Sequence, residues 1–113
     1  MGGELVVLDK TETVVRLDPA AAVPAVIANA GRRAKDRFVE FFTASIRNVN
    51  TRMSYLRAAR RFFAWAEDVH LRLSAIRPVH VAAYVEQLGK EKSAPTVKQH
   101  LAAVRMLFDY LVV

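Results

Sequence analysis

Residues 50–68, NTRMSYLRAARRFFAWAED, put two instructions on one helix. At 100° per residue, Tyr55, Leu56, Ala59, Phe62, Phe63 and Ala66 fall within one arc, while Arg57, Arg60 and Arg61 gather on the opposite side with Ser54 nearby. The apolar arc has to be buried against other helices. The arginine arc asks for an acidic partner, and a polyanion such as double-stranded DNA fits it.

The segments on either side supply what the apolar arc packs against. Before it, Ala34, Phe38, Phe41 and Phe42 recur at helical spacing and predict a helix over 32–45 with its charges on the other face. A polar connector follows, in which Asn50 or Thr51 is placed to accept the orphan amides of the 51–68 helix. After it, Leu71, Leu73 and Ile76 anchor a loop that ends at Arg77-Pro78, where the fixed φ of proline suits a first helical position. Val81, Tyr84, Val85 and Leu88 then give a buried face before Gly89 offers a stop. Pro95 opens a last helix whose apolar stripe is Val97, Leu101, Val104, Leu107, Phe108 and Leu111. The expected fold is all-α, a four-helix (to five-helix) orthogonal bundle with Leu56, Phe63, Val85, Leu101, Val104 and Phe108 inside.

The amino-terminal part reads differently. Residues 4–17, ELVVLDKTETVVRL, suggest a short hairpin or an extended arm around DKTET, Asp18-Pro19 reads as a boundary, and an alanine-rich stretch holds a short helix near 23–29 whose end Gly31 loosens. The chain therefore divides into an N-terminal arm, 1–31, partly flexible and poorly ordered or extended, and a folded domain, 32–113. Charge follows the same division. The arm carries Lys10 and Arg16 against Glu4, Asp9, Glu12 and Asp18, a net −2, so the rest of this +6 chain carries +8. A domain this basic attracts phosphate backbones or anionic surfaces.

Composition removes several classes of function. With 113 residues and 53% hydrophobic residues the chain forms one ordinary core. It has no cysteine, hence no disulfide framework, thiolate zinc site or cysteine nucleophile, and a reducing cytoplasm is the natural setting. No apolar run approaches the ~20 residues of a membrane span, and the start lacks the basic and apolar segments of a signal peptide, so no membrane role is expected.

Of the residues that could carry chemistry, the basic ones stand out. Lys98 and Arg105 lie two turns apart on the last helix, with Gln99 on the same broad arc and Ala102 and Ala103 as small neighbours that would let a phosphate chain approach. Phe62, Phe63 and Trp65 are read as core rather than as stacking platforms. His70, His80 and His100 are scattered without ligand-like spacing, so neither metal nor cofactor is expected. There is no GxSxG, no phosphate-cradling glycine loop and no paired carboxylates; Tyr55, Tyr84 and Tyr110 read as packing residues with the hydroxyl at the surface. No catalytic residue is assigned.

The ordered set Thr51, Tyr55, Leu56, Phe62 or Phe63, and Trp65, then Pro78, then Thr96, Val97, Leu101, Arg105, Phe108 and Leu111, resembles the N-terminal core-binding, SAM-like domain of tyrosine recombinases, the phage integrases, over residues 36–113. That resemblance implies a bundle forming half of a clamp around duplex DNA, with the helices at 50–68 and 95–112 facing the major groove. Carried over residue by residue, the DNA-facing positions are Thr51, Arg57, Arg60 and Arg61, and Thr96, Lys98, Gln99 and Arg105; Ser54 joins them from the arginine face. The family's chemistry uses a tyrosine nucleophile with arginines, a lysine and histidines in a following domain. None of the tyrosines here is therefore expected to be the nucleophile, and the chain, which stops in mid-helix by its periodicity, is expected to be a non-catalytic fragment of a longer integrase. The implied partners are double-stranded DNA and other recombinase subunits on the same DNA, with the isolated chain monomeric. The alternatives are a helix-turn-helix regulator and a basic protein-interaction bundle. A helix at 78–88 poor in basic residues, with no short turn leading into a basic helix, speaks against the first.

Overall fold

The computed structural model describes residues 23–111, and among them every regular element is helical. The elements are α1 (Ala25–Asn29), α2 (Arg32–Glu40) continued by a π-helical turn (Phe41–Ser45), α3 (Val49–Asp68), a 3₁₀ turn (Leu73–Ala75), α4 (Pro78–Gly89) and α5 (Ala94–Leu111). The hairpin or arm expected over 4–17 lies outside the described residues.

The apolar arc of α3 makes the centre of the core. Leu56, Ala58, Ala59, Phe62, Phe63 and Ala66 are all buried, with Tyr55 half-buried at the margin. Around them α5 is the hub, packed against α2, α3 and α4, while α1 closes the bundle against α2 and α3. The rings interlock edge to face: Phe62 meets Phe63 at 5.2 Å, Tyr84 at 5.1 Å and Phe108 at 5.9 Å between centroids. Although α1 lies on the arm side of the division expected at residue 31, its Val26 and Ile27 are buried in this same core. Gly31 joins α1 to α2 at φ 112°, a conformation that a residue with a Cβ adopts only under strain, so the corner requires glycine here.

Local details depart from the periodic reading in four places. The helix expected over 32–45 widens into a π turn at Phe41–Ser45, with Thr43 Oγ1 donating to the Val39 carbonyl at 2.9 Å, and both Phe41 and Phe42 are buried there. Helix α3 starts earlier than expected and its cap is Asn48, whose Oδ1 accepts from the Thr51 amide at 3.0 Å, so neither Asn50 nor Thr51 caps it. Gly89 is the last residue of α4 and Lys90 closes the helix in ordinary right-handed geometry. Finally, Val85, Leu101 and Phe108, expected inside, are only half-buried because they line an open apolar groove between α4 and α5 with Ile76 and Val81. The deep positions of α5 are instead Ala103, Val104 and Leu107.

Two arginines are structural. Arg37 donates to the Tyr110 carbonyl at 2.6 and 3.2 Å with its guanidinium 4.2 Å over the Tyr110 ring, and Arg52 donates to the Ile46 carbonyl at 2.8 and 3.2 Å. Each ties the end of one element to another segment.

Candidate nucleic-acid interface

The long α3 and α5 are neighbours, and their seam decides which basic residues can act together. On α3, Arg57 and Arg60 are exposed, Ser54 and Arg61 are half-buried at the edge of the helix, and Thr51 is exposed in the first turn. Arg61 forms an ion pair with Glu91, a residue of the α4–α5 connection thirty positions away in sequence. On α5, Thr96 is half-buried and accepts from Ser93 Oγ at 3.1 Å, whereas Lys98, Gln99 and Arg105 are exposed. Ala102 is exposed too, but Ala103 is fully buried in the core, so it cannot serve as a small surface neighbour for a phosphate chain.

His100 points into the seam, where its Nδ1 is buried without a hydrogen-bond partner, and the positive charges of Arg61, Lys92 and Arg57 act on it. Burial is the main reason that its pKa lies below the usual histidine value of 6.5, and those three cations add to the effect. By helical periodicity Lys98 and Arg105 sit roughly 160° and 140° around α5 from His100. They occupy the outward face of α5, with Arg105 on the rim of the apolar groove beside Asp109. Arg57 and Arg61 share with Lys92 an influence on His100, while Lys98 and Arg105 lie on the other side of α5 from it.

The same corner holds a buried tyrosine. Tyr84 is 4% exposed and its hydroxyl is buried beside Arg61 with no hydrogen-bond partner of good geometry. This corrects the expectation that its hydroxyl reaches the surface: the packing of α4 under Phe62 and Trp65 turns the ring inward. Burial raises its pKa above the usual 10.0, partly countered by Arg61. Trp65, at the edge of the core as expected, donates from Nε1 to Gln87 Oε1 at 3.1 Å and is not offered as a flat surface for a base. His80 has its own structural task, its Nδ1 accepting from the Arg77 amide at 2.9 Å.

Lys92, His100 and Glu91 belong to this corner but were not among the residues expected from the sequence. Nothing in their local spacing marks them. They meet Arg57 and Arg61 only because the α4–α5 turn brings residues 91–100 alongside the middle of α3.

Residues 36–113 match the family model described as the phage integrase N-terminal SAM-like domain. Comparisons with curated proteins and with solved structures return no match.

Proposed function

The chain belongs to the phage integrase N-terminal SAM-like domain family, that of the tyrosine recombinases, and from this premise we propose that it grips duplex DNA and positions its parent recombinase on the recombination sites. The observation that carries the reading is the exposed arginine face of α3, Arg57 and Arg60 with Arg61 paired to Glu91 beside Lys92, on a domain whose net charge is strongly positive. Thr51 and Ser54 extend that face along α3, and Thr96 adds a hydroxyl at the start of α5. Lys98, Gln99 and Arg105 supply a second contact line on the outward face of α5. Neighbouring subunits of the recombinase on the same DNA are the further partners.

The domain contributes binding, not chemistry. The family's N-terminal domain lacks the catalytic part, which supports placing the nucleophile in a separate domain of the parent; in keeping with this, Tyr84 is buried, Tyr110 packs against Phe41 and under Arg37, and Tyr55 packs against the core.

A salt titration on random-sequence duplex DNA tests the reading. Three phosphate contacts from Arg57, Arg61 and Lys92 alone give a log–log slope of about −2.7, and affinity then falls about 40-fold between 50 and 200 mM salt. A shallow slope with retained binding to an acidic protein would instead identify a protein-interaction bundle.

A further inference from the structure

We infer that Glu91 holds the place of a DNA backbone phosphate: in the free protein its carboxylate sits on Arg61 in the corner formed with Arg57, Lys92 and His100, and a phosphodiester oxyanion takes that place on binding. The inference rests on the DNA-binding reading above and goes beyond it by naming the subsite and the group that fills it beforehand.

The charge balance of the corner is the first argument. Three permanent cations, Arg57, Arg61 and Lys92, act on His100, and Glu91 is the acidic group that reaches Arg61 and Tyr84. One carboxylate leaves the corner in positive excess. Carboxylate and phosphate both present paired oxygens to a guanidinium, so the same fork of Arg61 serves either.

Burial and hydrogen bonding give the second argument. The Arg61 and Glu91 side chains are 39% and 52% exposed, so the pair is solvent-screened and exchangeable. Beside it, His100 Nδ1 is buried without a hydrogen-bond partner, and the buried Tyr84 hydroxyl has only Arg61 next to it. Native structures rarely leave a buried polar atom such as His100 Nδ1 without a partner. A phosphodiester presents two non-bridging oxygens, as the carboxylate does, but splayed tetrahedrally from phosphorus, so that one can take Arg61 while the other is directed to the Tyr84 hydroxyl or to a His100 N–H.

Exchange also requires that Glu91 move without unfolding its surroundings. The backbone of the connection is held by α4, with the Glu91 and Lys92 amides donating to the Leu88 carbonyl at 3.0 and 2.9 Å. Only the flexible Glu91 side chain has to swing out, while Lys92 stays at the site.

The test uses the 113-residue chain and a random-sequence 20-base-pair duplex as the probe. Glu91→Gln keeps the shape and removes the competing charge. Because Arg61 then meets its phosphate without first giving up a carboxylate, and an exposed ion pair is worth at most about five-fold, Glu91→Gln is expected to bind more tightly by up to about five-fold with a similar salt slope. In an Arg61→Gln background the same change is expected to gain little, since the competitor then has no arginine to occupy. Glu86→Gln, which removes an equal charge at the groove between α4 and α5, controls for net charge and is expected to change affinity much less. The inference is overturned if Glu91→Gln leaves affinity unchanged, or if its gain is as large in the Arg61→Gln background or in Glu86→Gln. If Arg57→Ala/Arg61→Ala abolishes binding while Glu91→Gln does nothing, only the placeholder role fails. If neither the wild-type chain nor Glu91→Gln binds the duplex, the DNA-binding reading fails with it.

Discussion

Replacing Arg57 and Arg61 together by alanine removes the two α3 cations that face the seam. With about 0.9 of salt slope for each phosphate contact, the double substitution should flatten the log–log slope by about 1.8 and weaken binding at 0.15 M salt by roughly 30-fold, whatever the DNA sequence. The two singles should not contribute equally. No ion pair of Arg57 occurs among the described residues, whereas Arg61 must give up Glu91 to take a phosphate, so Arg57→Ala is expected to cost more affinity than Arg61→Ala. Fluorescence anisotropy of a labelled random duplex between 50 and 300 mM salt measures slope and affinity together. Circular dichroism guards against a trivial loss of fold, which is not expected: Arg57 is exposed, and a surface ion pair such as Arg61–Glu91 is worth about 0–1 kcal/mol. If the folded double variant keeps both the affinity and the slope of the wild type, the α3 arginines are a solvated face and the phosphate-contact argument is wrong.

Core substitutions separate the deep positions from the groove: Phe63→Ala, at a ring 1% exposed, should cost about 3–5 kcal/mol, and Leu101→Ala, on the open groove, clearly less than the full ~2–5 kcal/mol of a buried leucine, both read by urea denaturation. Acid should destabilise the chain through His100. Unfolded, it takes up its proton near pH 6.5, but in the folded seam burial and the charges of Arg61, Lys92 and Arg57 hold its pKa lower, so the stability it contributes is full above about pH 6.5 and is lost as pH falls through the lowered native value. Urea midpoints between pH 7.5 and 4.5 should accordingly fall less steeply for His100→Gln than for the wild type. Incubation with supercoiled plasmid should give neither nicking nor relaxation, and a covalent protein–DNA adduct on denaturing gels would place a nucleophile in this domain.

The helices and most of the core were legible in the sequence because both follow from local periodicity. The arc of Leu56, Ala59, Phe62, Phe63 and Ala66 is a property of one helix, and any bundle that buries that helix buries those residues. Pro78 and Pro95 likewise mark the first turns of α4 and α5 by their own stereochemistry. The ordered pattern over 36–113 was enough to identify the family.

What the sequence by itself left open depends on which faces meet. Ala102 and Ala103 are adjacent in sequence and similar in chemistry, yet one is exposed and the other lies in the core, because they sit about 100° apart on α5 and only the arc of Ala103 is covered by the neighbouring helices. Leu101 and Val85 look as deeply apolar as Leu107, but they line the open groove between α4 and α5 and are only half-buried. The basic residues were visible as types, and their grouping was not: Arg61 meets Glu91 across thirty residues, and His100, unremarkable in its own helix, lies under Arg57, Arg61 and Lys92. Periodicity tells each helix which side to bury. Only the packing of several helices at once decides which charges share a corner, and the electrostatics of that corner follow from distances that no single stretch of chain contains.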